Sequence, residues 1–146
     1  MIAMNISEAL RHAIDLRLAE VAALPEGVQM WMKFMRALFL SSIVFAAWKK
    51  EARVVFAMAV VTAILLFGIK SAFPDIHSGQ IGRSIHLILW TAVLAWLFTR
   101  RQALLSEIKS GQTFSVVYGI WAWLVIAVLS ASLVMDFGGF LKSILG

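Results

Sequence analysis

The sequence predicts an all-α membrane protein, in which an amphipathic N-terminal helix precedes an antiparallel bundle of four transmembrane helices. Three observations carry this prediction: 62% of the 146 residues are hydrophobic, only 14% are charged, and four long apolar stretches are separated by short charged or turn-rich segments. A typical soluble domain is about 45–50% apolar and about 25% charged. Because a chain of this length cannot bury so much apolar surface, many outward-facing side chains must be apolar and face lipid.

The composition also excludes several classes of protein. A soluble enzyme, a disordered tail and a nucleic-acid-binding domain do not fit so apolar a chain. The formal net charge of +5 therefore indicates basic residues that flank hydrophobic helices, and we expect no nucleic-acid partner. The chain has no cysteine, which excludes thiol catalysis, iron–sulfur clusters and thiolate zinc sites.

The four apolar stretches have the length of transmembrane helices. A bilayer core of about 30 Å needs about 20 helical residues, with a range of about 17–25. The predicted spans cover about residues 30–48, 54–73, 81–98 and 114–135, within a transmembrane domain of residues 30–146. We expect residues 49–53 to form the tight turn between spans one and two, and the Gly138–Gly139 pair to end span four.

Residues 1–29 are predicted to form an interfacial amphipathic helix and a linker. Asn5 followed by Glu8 is typical of a capping box, and Pro25 marks the break before span one. The apolar side chains that recur on one side at helical spacing are Ile6, Leu10, Ala13, Ile14 and Val21. Arg17 falls within this apolar side and must extend its guanidinium group towards the headgroup layer. The sequence leaves two packing surfaces open for this helix: a lipid surface and the protein's own helices.

The distribution of basic residues leaves the orientation open. Loops one and three carry six Lys or Arg residues, against three in loop two, the C-terminal tail and the adjacent span ends. The positive-inside rule weights short loops most, which favours both termini outside. Four basic residues near the N-terminus turn the count to seven against six. We expect a multi-pass protein of a bacterial inner membrane without a cleavable signal peptide, since residues 1–24 lack a basic start and a small-residue cleavage site.

The alternation of spans places one set of polar side chains in the same leaflet. This set comprises Lys33, Arg36, Lys70, Asp75, His77, Arg83 and His86. Its four fixed cations, Lys33, Arg36, Lys70 and Arg83, predict a basic pocket for an anionic lipid headgroup or an anionic solute. The alternative interpretation is that these side chains only reach the phosphate layer and anchor the helix ends.

Span three carries the strongest candidates for chemistry. Arg83, His86 and Trp90 recur on one helical face, and Val93 and Leu97 continue it. His86 could ligate haem or a pigment, or relay protons together with His77 and Asp75. The alternative is a neutral histidine that is hydrogen-bonded to a neighbouring helix, for example to the hydroxyl of Ser71.

The leading functional hypothesis is a small, non-catalytic polytopic membrane protein, because no catalytic motif is visible. It would be a subunit of a larger membrane complex or a self-associating scaffold, with a basic site for a lipid headgroup or a partner. Membrane lipids, anionic ones included, and a homo-oligomeric partner are the expected interactions. One alternative is an oligomeric channel or carrier for a small anion. The other is a haem- or pigment-binding or lipid-modifying protein centred on His86; no cofactor is predicted outside this alternative.

Overall fold

A computed structural model describes residues 5–146, and within this range the chain forms helices joined by short turns, with no strand. The helices in chain order are α1 (Ile6–Ala22), α2 (Glu26–Leu40), α3 (Ser42–Ala46), α4 (Lys50–Ala72), α5 (Ser78–Ile85), a π-helical segment (His86–Trp90), α6 (Thr91–Thr99), α7 (Arg101–Lys109) and α8 (Thr113–Leu145).

Four continuous helical stretches are long and apolar enough to cross a membrane. They are Glu26–Ala46, Lys50–Ala72, Ser78–Thr99 and Thr113–Leu145. The first joins α2 and α3, and the third joins α5, the π-helical segment and α6. Four helices of spanning length are therefore present in the predicted order, which is consistent with a multi-pass membrane protein. We call the four stretches spans one to four below.

The four spans share one apolar core. Span one contributes Phe39 and Phe45, span two Val55, span three Trp90 and span four a long run of buried residues between 118 and 129. Trp90, Val93 and Leu97 are all buried, which confirms that this part of the predicted stripe is one face. Aromatic contacts tie the spans together, because the rings of Phe39 and Trp90 meet edge to face at 5.2 Å.

Several helix boundaries differ from the predicted ones. α2 begins at Glu26 directly after Pro25, four residues before the predicted start of span one, because proline is tolerated just before a first helical turn. The chain reverses at residues 47–49 rather than 49–53, and Lys50 already lies in α4. The prediction that Gly138–Gly139 ends span four is wrong: α8 continues to Leu145, since glycine inside a helix costs only about 1 kcal/mol.

The third predicted loop contains a helix, α7, that the sequence pattern does not predict. α7 packs closely against the first turns of α8, where Gly119 is buried. A Cβ atom at Gly119 would lie 2.5 Å from Cγ1 of Ile108 and 3.2 Å from the carbonyl oxygen of Leu104. The absence of a side chain at this position thus allows the two helices to touch.

The N-terminal helix has the predicted cap and rests on protein along one side. The Asn5 side chain accepts from Ser7 N–H, and the Glu8 side chain accepts from Asn5 N–H, which confirms the capping box. α1 packs against α4, and Ala13 is 1% exposed. Other members of the predicted apolar side, Ile6 among them, face outward. The helix therefore combines a protein contact with an exposed apolar stripe.

Candidate functional site

A cleft of about 570 Å³ lies between α1, α2, α4 and the π-helical segment. Its volume is within the range of about 300–1,000 Å³ that small-molecule sites occupy. Most of its wall is apolar, with long side chains from α1 and α2 facing Ala59, Leu66 and Phe67 of α4. The polar lining residues are Arg17, Gln29, Lys33, Arg36, Thr62, His86 and the indole of Trp90.

Three fixed cations line this cleft. Arg17 comes from α1, and Lys33 and Arg36 come from α2. Among the residues of the described chain that form the wall, none is acidic. Burial lowers the pKa of Arg17, the nearby Glu20 carboxylate raises it, and the positive charge of Arg36 lowers it further. Arg17 therefore lies near both the Glu20 carboxylate, whose effect on it is the larger, and the positive charge of Arg36.

The π-helical segment forms another part of the wall. Such segments insert one residue into a helical turn and are frequent at functional sites. Here the rings of His86 and Trp90 stack, with centroids 3.6 Å apart and an angle of 25° between their planes. Trp90 Nε1 donates to Thr62 Oγ1 at 3.0 Å, which fixes the indole against α4. The stacked rings of His86 and Trp90 are consequently held in place in the cleft wall, with the imidazole as the more polar of the two.

His86 is oriented by an acid from the last helix. Its Nδ1 lies 2.7 Å from Oδ2 of Asp136, a residue 50 positions away in sequence. This contact agrees with the alternative of a histidine that is hydrogen-bonded to a neighbouring helix. The example of Ser71 as the partner is wrong, because the Ser71 hydroxyl donates to the carbonyl oxygen of Phe67. Asp136 was visible in the sequence only as a residue at the end of span four. Nothing local indicates that it faces His86.

Lys70 does not line the cleft and has three hydrogen-bond partners elsewhere in the protein. Its side chain is 2% exposed, and Nζ donates to Glu20 Oε1 at 2.8 Å and to the carbonyl oxygens of Pro74 and Ile76 at 2.9 and 2.7 Å. The other carboxylate oxygen of Glu20 accepts from Ser78 N–H at 3.0 Å. Lys70 therefore connects α1 to the turn between α4 and α5, and its charge is balanced within the protein.

The Glu20 carboxylate is strongly stabilised in its charged form. Burial alone raises the pKa of Glu20, but the hydrogen bonds from Lys70 and Ser78 outweigh it and lower the pKa to about 2. This carboxylate therefore remains charged at neutral pH. The contact joins the C-terminal part of α1, next to Arg17, to the rest of the protein.

The remaining predicted site residues lie apart from the cleft wall. Arg83 is half-buried and its guanidinium packs against Gly139, whose missing side chain leaves room for it. His77 accepts from Gly79 N–H through Nδ1 at 3.1 Å and caps α5. Asp75 is exposed in the turn before it. Of the seven predicted residues, the cleft thus brings together Lys33, Arg36 and His86, and it adds Arg17.

A second polar cluster occupies the opposite ends of the spans. Glu51 is 5% exposed and accepts from Tyr118 Oη at 2.8 Å and from Arg100 Nε at 2.9 Å. Lys49 pairs with Glu107, and this hydrogen bond lowers the pKa of Glu107. Because the buried carboxylate and its neighbouring acid each have a cationic partner, this cluster is best explained as a structural connection between α4, α7 and α8.

Comparison with protein-family models, with curated proteins and with solved structures finds no match to this chain. Function must therefore be argued from the cleft and its residues.

Proposed function

We propose that the protein is a multi-pass membrane protein whose four spans form an antiparallel bundle, and that its cleft binds an anionic lipid. The observation that carries this proposal is the combination of an apolar wall with three cations and no acid among the lining residues. In this arrangement the acyl chain packs on the apolar wall, while the phosphate group lies against the cations. The proposal assigns no catalytic step to the site.

Two of the three cations lie about one helical turn apart on α2, within the first span. With a rise of about 1.5 Å per residue, Lys33 and Arg36 lie about 11 and 15 Å along the helix from its start at Glu26. Their aliphatic stems can follow the apolar wall while the charged ends extend towards the N-terminal end of α2, where the phosphate group of a bound lipid would contact them. Arg17 approaches from α1 and lies close enough to Arg36 for their charges to interact. A phosphate group between α1 and α2 would contact both cations.

The apolar wall favours a lipid over a small inorganic anion. A free anion contacts only the basic residues and leaves the wall formed by Leu66, Phe67 and their neighbours without an occupant. An acyl chain can pack against this wall through van der Waals contacts, which a small anion lacks. Self-association and docking to a larger complex stay predictions that this cleft does not address.

Competition between lipids in detergent, followed by native mass spectrometry, tests the proposal. Phosphatidylglycerol should bind more tightly than phosphatidylcholine, which has the same acyl chains and no net charge. A basic residue near a headgroup contributes about 1 kcal/mol, so Arg36→Gln should weaken phosphatidylglycerol binding about fivefold. Arg11→Gln is the matched control, because Arg11 is exposed on α1 and does not line the cleft.

Two results would contradict the proposal. One is equal binding of phosphatidylglycerol and phosphatidylcholine to the unmodified protein. The other is an equal loss of phosphatidylglycerol binding in Arg36→Gln and Arg11→Gln, because this would indicate attraction by net charge rather than by the cleft. Lys33→Gln and Lys50→Gln provide a second matched pair, since Lys50 is exposed at the opposite ends of the spans.

A further inference from the structure

The contact with Asp136 determines which nitrogen of His86 carries the proton. An ionised carboxylate only accepts hydrogen bonds, so the 2.7 Å contact between Asp136 Oδ2 and His86 Nδ1 requires the proton on Nδ1. In the neutral imidazole, Nε2 then has a lone pair and acts as an acceptor. Carboxylates that bind one ring nitrogen commonly fix the tautomer and the ring orientation of histidine in this way.

The acceptor nitrogen is available to an occupant of the cleft. His86 lines the cleft, whereas Asp136 does not. Within residues 5–146, Nδ1 forms the hydrogen bond of this ring and Nε2 has no protein partner. Stacking on Trp90, which is itself fixed to Thr62, restrains the ring from turning. The His86 side chain is 20% exposed, so a donor on a ligand in the cleft can reach Nε2.

We propose that His86 contacts the bound lipid and accepts a hydrogen bond from a hydroxyl group of its headgroup. This inference rests on the proposed function and names the ligand more closely: an anionic phospholipid whose headgroup bears a free hydroxyl, as a glycerol headgroup does. An ammonium headgroup also offers donors, but Arg17, Lys33 and Arg36 repel it. Asp136 is then a positioning residue, which acts through the tautomer and orientation of His86.

The test compares two lipids of equal charge. Phosphatidylglycerol has hydroxyl groups on its headgroup, whereas phosphatidylmethanol carries the same single negative charge without any. One net hydrogen bond contributes about 0.5–1.5 kcal/mol, so the unmodified protein should prefer phosphatidylglycerol by roughly 2- to 10-fold. Phosphatidylcholine with the same acyl chains is the uncharged reference. Binding is measured by native mass spectrometry of the full chain in detergent.

Variants distinguish the loss of the His86 hydrogen bond from a general loss of structure. His86→Phe keeps an aromatic ring for stacking and removes the acceptor, so the preference ratio should fall to about 1. Asp136→Ala should also lower the ratio, while Asp136→Asn, whose amide oxygen can still accept from Nδ1, should keep part of it. Arg36→Gln should weaken both anionic lipids by the same factor and leave the ratio unchanged.

The outcomes distinguish this inference from the proposed function. If the unmodified protein binds phosphatidylglycerol and phosphatidylmethanol equally, and both better than phosphatidylcholine, the role of His86 is refuted and the anionic-lipid site stands. If neither anionic lipid exceeds phosphatidylcholine, both are refuted. The ratio of phosphatidylglycerol to phosphatidylmethanol binding in the unmodified protein tests the role of His86 even when a variant fails to fold.

Discussion

Removal of the Glu20 carboxylate should release α1 from the rest of the protein. Lys70 is 2% exposed and its cation is balanced by Glu20 at 2.8 Å. In Glu20→Gln this charge remains buried without a counter-ion, although the carbonyl oxygens of Pro74 and Ile76 still accept from it. The substitution replaces one carboxylate oxygen with an amide NH₂ group and leaves the size of the side chain nearly unchanged.

The expected magnitude follows from these contacts. Removal of one partner of a buried ion pair costs about 3–5 kcal/mol. The two carbonyl acceptors and the amide oxygen of the introduced glutamine retain part of the solvation of Lys70, which reduces the cost to about 2–3 kcal/mol. This corresponds to a roughly 30- to 150-fold increase in the equilibrium constant for local opening of α1.

Hydrogen–deuterium exchange of the protein in detergent measures this opening directly. Backbone amides of α1 should exchange roughly 30- to 150-fold faster in Glu20→Gln, the factor worked out for the loss of the ion-pair partner. Asp15→Asn is the matched control, because Asp15 is exposed on the same helix and loses the same charge. Addition of Lys70→Met to Glu20→Gln should slow exchange again, since it removes the stranded charge. Equal exchange in Glu20→Gln and Asp15→Asn would refute the reasoning.

The same pair predicts a pH dependence. The pKa of Glu20 is about 2 in the folded protein, compared with an ordinary value of 4.5. Because the folded value is the lower one, the contribution of Glu20 to stability is complete above about pH 4.5 and is lost as the pH falls towards 2. Exchange of α1 in the unmodified protein should therefore approach that of Glu20→Gln on acidification from pH 5 to pH 3. A difference that stays constant over this range would contradict the assignment.

Two further substitutions test the packing of α8 against α7 and α4. Gly119→Ala places a Cβ atom 2.5 Å from Cγ1 of Ile108 and should destabilise the protein by about 1–3 kcal/mol, measured by thermal unfolding in detergent. Gly68→Ala is the control and should not destabilise the protein, because there is open space around Gly68. Equal effects of the two substitutions would contradict the close contact between α7 and α8. Tyr118→Phe removes the hydroxyl donor to the buried carboxylate of Glu51 and should lower the free energy of unfolding by about 1.5–3 kcal/mol, by the same measurement. An unchanged unfolding temperature would show that this hydrogen bond contributes little to stability.

The fold is predictable from sequence as far as it depends on local patterns. Apolar stretches of about 20 residues define four spans because each stretch carries its own hydropathy signal. The capping box at Asn5 and Glu8 is also local, as is the break at Pro25. α7 escapes the prediction because it is short, polar and positioned by its contact with Gly119, which no local pattern reveals.

The candidate site is only partly predictable for the same reason. Arg36 stands out in the sequence because a charge within an apolar stretch is costly, and Arg17 stands out because it interrupts the apolar side of the N-terminal helix. Their grouping into one cleft depends on how α1 packs against α4. The carboxylate partners of Lys70 and His86, Glu20 and Asp136, are each 50 positions distant in the chain, so sequence spacing could not identify them.

The location of bound lipid tests the central claim most directly. Phosphatidylglycerol with a photoreactive diazirine in its acyl chain would be bound to the protein in detergent, activated by light, and mapped by peptide mass spectrometry. The account predicts labels concentrated on the cleft wall, on α1, α2 and residues 59–67 of α4, and competed away by unlabelled phosphatidylglycerol but not by phosphatidylcholine. Labels spread evenly over the exposed apolar faces of all four spans, with no such competition, would contradict the proposed lipid site.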